Sequence, residues 1–298
     1  CSAAVTVESR DPAQNTSAVT AATAVLLSAS PAASFTFYSD AGCTASTTQV
    51  GIPAGSSTAS FWFRGTLPGS VTVTAAVAGW SPSPTQDETV NPAPPDHIAF
   101  ATSAQAVTAG ACSGAATVAS RDPYGNVSPV SAATTVALSA APGAGFGFYS
   151  DAGCTSAAGS VVIPAAGTTA TFWFRGTAAG SVTVTASAAG MSPSPTQVET
   201  VAPAAPARRV FTSAPQTRKA GACSAAATLQ SQDAFGNVAP VSAQTAVDLS
   251  AAPAAGFGFY ADASCAVPTA AASLAAGQSA AGFYFRGTLV GSVTVTAS

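Results

Sequence analysis

Charge is scarce in this chain: 7% of its 298 residues are charged, and it has one histidine and one methionine. Soluble domains usually carry about 25% charged residues, so the surface here must be neutral and hydroxyl-rich. Ala, Ser and Thr together make up about half of the sequence. Nine Lys plus Arg against twelve Asp plus Glu give a net charge of −3, and the basic footprint of a nucleic-acid binder is missing. No apolar run nears the ~18 to 20 residues that a membrane-spanning helix needs. A lone histidine cannot supply a triad or a histidine metal site to each part of a repetitive chain. Amphipathic helical periodicity is missing too, and 21 prolines interrupt the chain.

What is present is repetition. Cysteines stand at 1, 43, 112, 154, 223 and 265, a pair returning every 111 residues. Phe61-Trp62-Phe63-Arg64-Gly65-Thr66 returns as Phe172 to Thr177 and as Phe283 to Thr288, where Tyr284 replaces the tryptophan. A unit of 111 residues exceeds the roughly 20 to 50 of a solenoid repeat and suits a domain with its own core. The expected domains are residues 1–91, 92–202 and 203–298, the first lacking its first strand and the third its last. The Pro-rich stretches Ser81 to Pro95 and Ser192 to Pro206 read as stiff joints.

Comparison of the copies reports burial. In Val25-Leu26-Leu27, Val136-Ala137-Leu138 and Val247-Asp248-Leu249 the middle residue changes from Leu to Ala to Asp between aliphatic neighbours. That is a strand of period two with its middle residue outward. The same reading gives inward pairs Val5/Val7, Phe35/Phe37, Val50/Ile52, Phe61/Phe63 and Val71/Val73, with further strands at Ile98 to Phe100 and Thr85 to Val90. Short strands separated by Gly/Pro/Asn turns predict an all-β protein, tandem immunoglobulin-like antiparallel β-sandwiches with one disulfide each.

The cysteine series predicts the pairs Cys1–Cys43, Cys112–Cys154 and Cys223–Cys265. Cys112 and Cys223 repeat the role of Cys1 inside the chain, which favours a bridge over a lipid-modified terminus. Closing loops of this size is worth about 4 kcal/mol in the chain-entropy model, and such bridges place the protein outside the cell, secreted or surface-attached. His97, whose counterpart is Arg208, reads as a solvated side chain. Asp11, Asp122 and Asp233, with Asp40, Asp151 and Asp262, are too thinly clustered for calcium, and a turn explains the first three. No metal or other cofactor is expected. Asn15 and Asn126 match a glycosylation pattern that Asn237 breaks, so the turn explains them better. Ser81 to Thr85 and its counterpart at 192–196 offer O-glycan acceptors, which a Pro-rich linker explains equally well.

Trp62 with Arg64, Trp173 with Arg175 and Tyr284 with Arg286 form the least ordinary feature, since three of nine cationic residues go to one position. With the flanking phenylalanines inward, these side chains share an outer face. Two readings stand: an arginine laid across an aromatic ring, and a lateral contact strip repeated on each domain.

The turns Asp122-Pro123-Tyr124-Gly125-Asn126-Val127 and Asp233-Ala234-Phe235-Gly236-Asn237-Val238, with the later Ala-Gly-Ser-Val-Thr-Val-Thr-Ala, resemble bacterial Ig-like repeats of the invasin/intimin type. The first copy, Asp11-Pro12-Ala13-Gln14-Asn15, lacks the glycine. The resemblance implies a cell-surface adhesin, stalk or fibre, in which such repeats supply length and stiffness. The partners expected are further repeats of the same polypeptide, with lateral self-association into filaments, and neither nucleic acid nor a transmembrane segment. The alternative is a module binding a glycan or protein; enzymatic activity is not expected. The incomplete outer copies are expected to be completed by further repeats or by a strand from a neighbouring chain.

Overall fold

A computed structural model describes residues 1–298 and contains twenty-four strands and no helix. Repeat 2 defines the plan. One sheet orders Phe146–Tyr149, Thr169–Gly176, Ala116–Arg121 and His97–Phe100; the other orders Ala106–Thr108, Thr196–Ala202, Gly180–Ala188, Thr134–Ala141 and Ser160–Ile163. Between them lies one cluster of 18 buried residues that includes Ile98, Val118, Val136, Ile163, Phe172, Phe174 and Val184. The alternation read from the sequence is that of the sheets: Val136 is 0% exposed, and Leu26, on the outward position of the equivalent strand, is 52% exposed. Burying one face of each strand fixes its register, because a one-residue slip would turn every valine outward.

The pairing departs from a wholly antiparallel pattern at one place. Ala106–Thr108 runs parallel to Thr196–Ala202, with Val107 opposite Val201. The first segment of repeat 2 therefore crosses from one sheet to the other, covering an edge of each: His97–Phe100 pairs with Ala116–Arg121, and Ala106–Thr108 closes the second sheet. Three residues give no readable periodicity, so this strand is invisible to sequence patterning.

Repeats 1 and 3 keep the shared registers. Val25 faces Val50 as Val136 faces Val161. Their clusters hold 8 and 9 buried residues respectively. In repeat 1 the sheets are Val5–Glu8, Thr58–Gly65, Phe35–Tyr38, Ser46–Thr47 and, opposite, Gln49–Ile52, Thr23–Ser30, Gly69–Ala76, Thr85–Val90.

The joints are shorter than the proline content suggested. Thr85–Val90 and Thr196–Ala202 are strands of the sandwiches, and Ser81–Pro84 and Ser192–Pro195 are hairpin turns inside their repeats, each with a cis Ser-Pro peptide. The strand pairing of Thr85–Val90 with Gly69–Ala76 pulls those prolines away from the joint. What remains between repeats 1 and 2 is the segment from Asn91 to Asp96.

Candidate functional site

The three disulfides join Cys1 to Cys43, Cys112 to Cys154 and Cys223 to Cys265, each across 42 residues. Each second cysteine follows an aspartate that organises its loop. Asp151 accepts N–H donors from Gly153, Thr155 and Ser156, the last at 2.6 Å. The Ser156 bond foremost, with those of Thr155 and Gly153, holds the Asp151 carboxyl down at about 2. Asp262 is likewise lowered to about 2, first by the Ser264 hydroxyl and then by the Val267 and Ala266 amides. In Asp40 the Ala45 amide leads. These loop carboxylates are therefore satisfied within their own loops, by backbone amides and by the Thr44, Thr155 and Ser264 hydroxyls.

The outer strip is assembled differently from the sequence expectation. Trp62, Trp173 and Tyr284 do sit opposite tyrosines on the neighbouring strand, Tyr38, Tyr149 and Tyr260. The arginines lie over tyrosine, not tryptophan: the Arg175 guanidinium is 5.2 Å from the Tyr149 ring centre and donates to its hydroxyl at 3.1 Å. Arg286 repeats this over Tyr260 at 5.0 Å, with a 2.9 Å hydrogen bond. Arg64 instead turns to Tyr124 of the next repeat, 5.9 Å from its ring centre, and hydrogen-bonds its hydroxyl. Two residues differ between the copies: Tyr149 folds back over Gly147, where a Cβ would meet Oη at 3.3 Å, and repeat 1 has Thr36 there; and the next repeat offers Arg64 the hydroxyl of Tyr124, where Arg175 would meet Phe235.

The turns of the family-like motif prove to be the joints themselves. In repeat 2, Asp122 is 0% exposed. Its carboxylate accepts the Tyr124 and Asn126 amides and, from the linker, the Ala93 amide at 3.0 Å. Burial opposes ionisation of Asp122, but the Asn126 side chain and backbone, with Ala93 and Tyr124, outweigh it and keep the carboxyl below its usual range. Asp233 behaves alike with Asn237 and Ala204. The asparagine held this way reaches across to the preceding repeat. Asn126 Nδ2 donates to the Thr66 carbonyl at 2.8 Å, and Asn237 Nδ2 to the Thr177 carbonyl at 2.8 Å. The glycosylation-like Asn126 is thus committed to the joint. Gly125 at φ 83° and Gly236 at φ 93° permit the turn, and Gln14 adopts φ 70° in the copy without glycine.

The two joints are not identical. At the second, the Ala179 amide also donates to Asn237 Oδ1 at 2.8 Å; the counterpart of Ala179 is Pro68, which has no N–H. The Phe235 ring covers Gly110, where a Cβ would stand 2.5 Å from the ring. At the first joint Tyr124 takes Arg64 instead. His97 sits beside this joint, with Nδ1 2.5 Å from Asp96 Oδ1.

No protein-family model and no characterised protein sequence matches the chain. Among solved structures it is similar to InvD of Yersinia pseudotuberculosis at 13% identity and a TM-score of 0.41, over 99% of this chain and 79% of that one. It is also similar to domains 4–9 of the surface-layer protein SbsC at 16% identity and a TM-score of 0.30, over 97% of this chain and 39% of that one. A third likeness is to a β-glycosidase of Bacteroides vulgatus, at 13% identity and a TM-score of 0.30, over 66% of this chain and 24% of that one. A β-sandwich hosts many unrelated functions, so the role of this chain has to be argued from its own surfaces. No helix is long and apolar enough to cross a membrane.

Proposed function

We propose that the chain is a structural run of three domains, residues 1–91, 92–202 and 203–298, within an extracellular surface adhesin, stalk or fibre of the invasin/intimin type. It supplies length and stiffness and has no catalytic activity. The observation that carries this reading is the joint. Asn126 and Asn237 make the same 2.8 Å bond to the preceding repeat, and Asp122 and Asp233 pin the linker behind them. A contact repeated with the period of the sequence propagates one orientation along the array, as a spacer requires. One disulfide in each repeat suits an oxidising exterior.

Each sandwich measures roughly 30 to 40 Å, so three span on the order of 100 Å. Small-angle scattering of residues 1–298 should give a stiff rod, and the Asn126→Ala/Asn237→Ala pair should broaden its distance distribution. A compact particle, or a variant as stiff as the parent, overturns the reading. The half-buried aromatics of the arginine strip, Trp62, Trp173 and Tyr284, favour a second reading, a glycan- or protein-binding face; a single repeat retained on a glycan array, and released by Trp173→Ala, would select it.

A further inference from the structure

The packing of the sandwich accounts for part of the arginine strip and leaves part of it over. In repeat 2 the strand Thr169–Gly176 buries Ala170, Phe172 and Phe174 and turns Thr171, Trp173 and Arg175 to its outer face. Arg175 lies over Tyr149, so the cation–π contact explains the arginine and the tyrosine but not Trp173. The charge of Arg175 is unanswered as well. The ion pairs of the chain are Arg10 with Glu8 and His97 with Asp96, so the half-buried Arg175 guanidinium has no carboxylate beside it. A guanidinium carries several N–H donors in a planar fork, and here one of them is used, on the Tyr149 hydroxyl.

Thr171, Trp173 and Arg175 follow at every second residue, so a hydroxyl, an aromatic ring and a cation stand in one row about 13 Å long. At the polar end the Thr171 and Thr117 hydroxyls lie 3.4 Å apart on neighbouring strands. Thr169–Gly176 is an interior strand, paired with Ala116–Arg121 along its first half and with Phe146–Tyr149 along its second. The row is therefore rigid and owes nothing to an open edge. Repeat 3 keeps a reduced form of it, Gly282, Tyr284 and Arg286, with Arg286 again bonded to a tyrosine and beside no carboxylate.

We infer that this row in repeat 2, and more weakly its reduced form in repeat 3, binds a glycan whose sugars carry carboxylates. The apolar face of one sugar ring stacks on Trp173. The carboxylate of its neighbour meets the Arg175 fork, a charge-assisted contact that a lone ammonium makes less well. Sugar hydroxyls bond to Thr171 and Thr117. A neutral sugar leaves the cation unanswered, and an acidic peptide leaves the ring unused; a carboxylated sugar chain engages both, along a row longer than a single ring. The inference rests on the second reading above, a ligand-binding face, and names its ligand class. A spacer can carry such a row on its flank.

The test titrates the 298-residue chain with an oligogalacturonate hexamer, with maltohexaose as the neutral sugar and hexaglutamate as the acidic peptide, and follows the indole N–H resonances by NMR. The expected result is a saturable shift of the Trp173 indole with a Kd on the order of 1 mM or tighter, weakened by added salt. Trp80, in the hairpin between Gly69–Ala76 and Thr85–Val90, should not move. Maltohexaose and hexaglutamate should each bind at least about tenfold more weakly, since each answers half of the row. Arg175→Gln should weaken the hexamer about tenfold, and Arg175→Lys, which keeps the charge and loses the fork, by less. Trp173→Ala, read from the amides of residues 171–175, should cost about tenfold as well. Maltohexaose bound as tightly as the acidic hexamer, or an Arg175→Gln chain with no loss, overturns the inference and leaves a glycan-binding face standing. Hexaglutamate bound as tightly, with Trp173→Ala indifferent, overturns the sugar. A row that takes none of the three overturns the inference together with the reading beneath it. The contrast among the three probes needs no variant, so a variant that fails to fold cannot decide the outcome.

Discussion

In repeat 2 eighteen side chains are buried in one cluster, against eight in repeat 1, although the strands they share pair in the same registers. Ala116, Val118, Ala170, Ala186 and Val201 belong to the larger cluster. Their counterparts Val5, Val7, Ala59, Ala75 and Val90 are only half-buried. The strands are equivalent; what differs is the cover provided by His97–Phe100 and Ala106–Thr108. Core membership here is set by the edge segment that closes the sandwich, not by the hydrophobicity of the strands it closes.

Removing the bridge from the better-covered repeat is the strongest test. Cys112→Ser/Cys154→Ser should lower the stability of repeat 2 by about 4 kcal/mol, read by chemical denaturation with hydrogen exchange followed repeat by repeat. If repeat 2 then still outlasts repeat 1, the cover outweighs the bridge. Uncovering comes next: Ile98→Ala should cost about 2 to 5 kcal/mol and bring amide protection at residues 116–121 down towards that at residues 5–8. A loss below about 1 kcal/mol would show that the edge strand is dispensable and that the comparison rests on something else.

The joints offer a finer contrast. Asn237→Ala removes two hydrogen bonds across its joint and Asn126→Ala one, each bond worth about 1 kcal/mol. Interdomain motion measured by residual dipolar couplings should therefore grow more in the first variant. Pro68→Ala, which restores an amide donor, should narrow the gap between the joints.

Acid, by contrast, should treat the repeats alike. Asp151 and Asp262 have carboxyls lowered from 3.8 to about 2, and Asp40 is lowered by the same kind of donors. A depressed carboxyl stabilises the fold above its unfolded value, and that stabilisation is lost as pH falls through the folded one. For Asp151 and Asp262 the loss belongs between about pH 4 and pH 2, and carboxyl resonances followed by NMR should titrate there in those two loops and below the usual carboxylate range in the Asp40 loop; a normal value in one repeat would single that loop out. Smallest is Thr36→Gly, which should let Tyr38 fold back and draw Arg64 from Tyr124. The exchange involves contacts worth about 0.5 to 1 kcal/mol and is visible as a new Tyr38–Arg64 proximity in the variant structure.

Much of the sandwich is legible in the sequence because each strand buries one face, and three copies reveal which face by what they vary. Leu26, Ala137 and Asp248 cannot share an environment inside a core. The joint was illegible for a different reason. Asn126 meets Thr66 60 residues away, and nothing local in Gly-Asn-Val distinguishes an asparagine that closes a turn from one that also spans two domains. The arginine partner could have been found: Tyr38, Tyr149 and Tyr260 recur with the same period and sit opposite the aromatic of the strip. Ser81–Pro84 misled because proline marks both linkers and tight turns, and only the pairing of Thr85–Val90 decides between them.

The position of the disulfides has a mechanical consequence. A bridge across 42 residues short-circuits that stretch when the chain is pulled from its ends, so 69 of each 111-residue period remain free to extend. At about 3.5 Å per residue a ruptured repeat pays out a contour of about 240 Å, where the reduced repeat would release about 390 Å. The oxidised array therefore behaves as a tether with a built-in stop in each bead, one that yields by a fixed and limited step under load and keeps the Cys112–Cys154 loop as a closed knot from which the sandwich can reassemble when the tension drops.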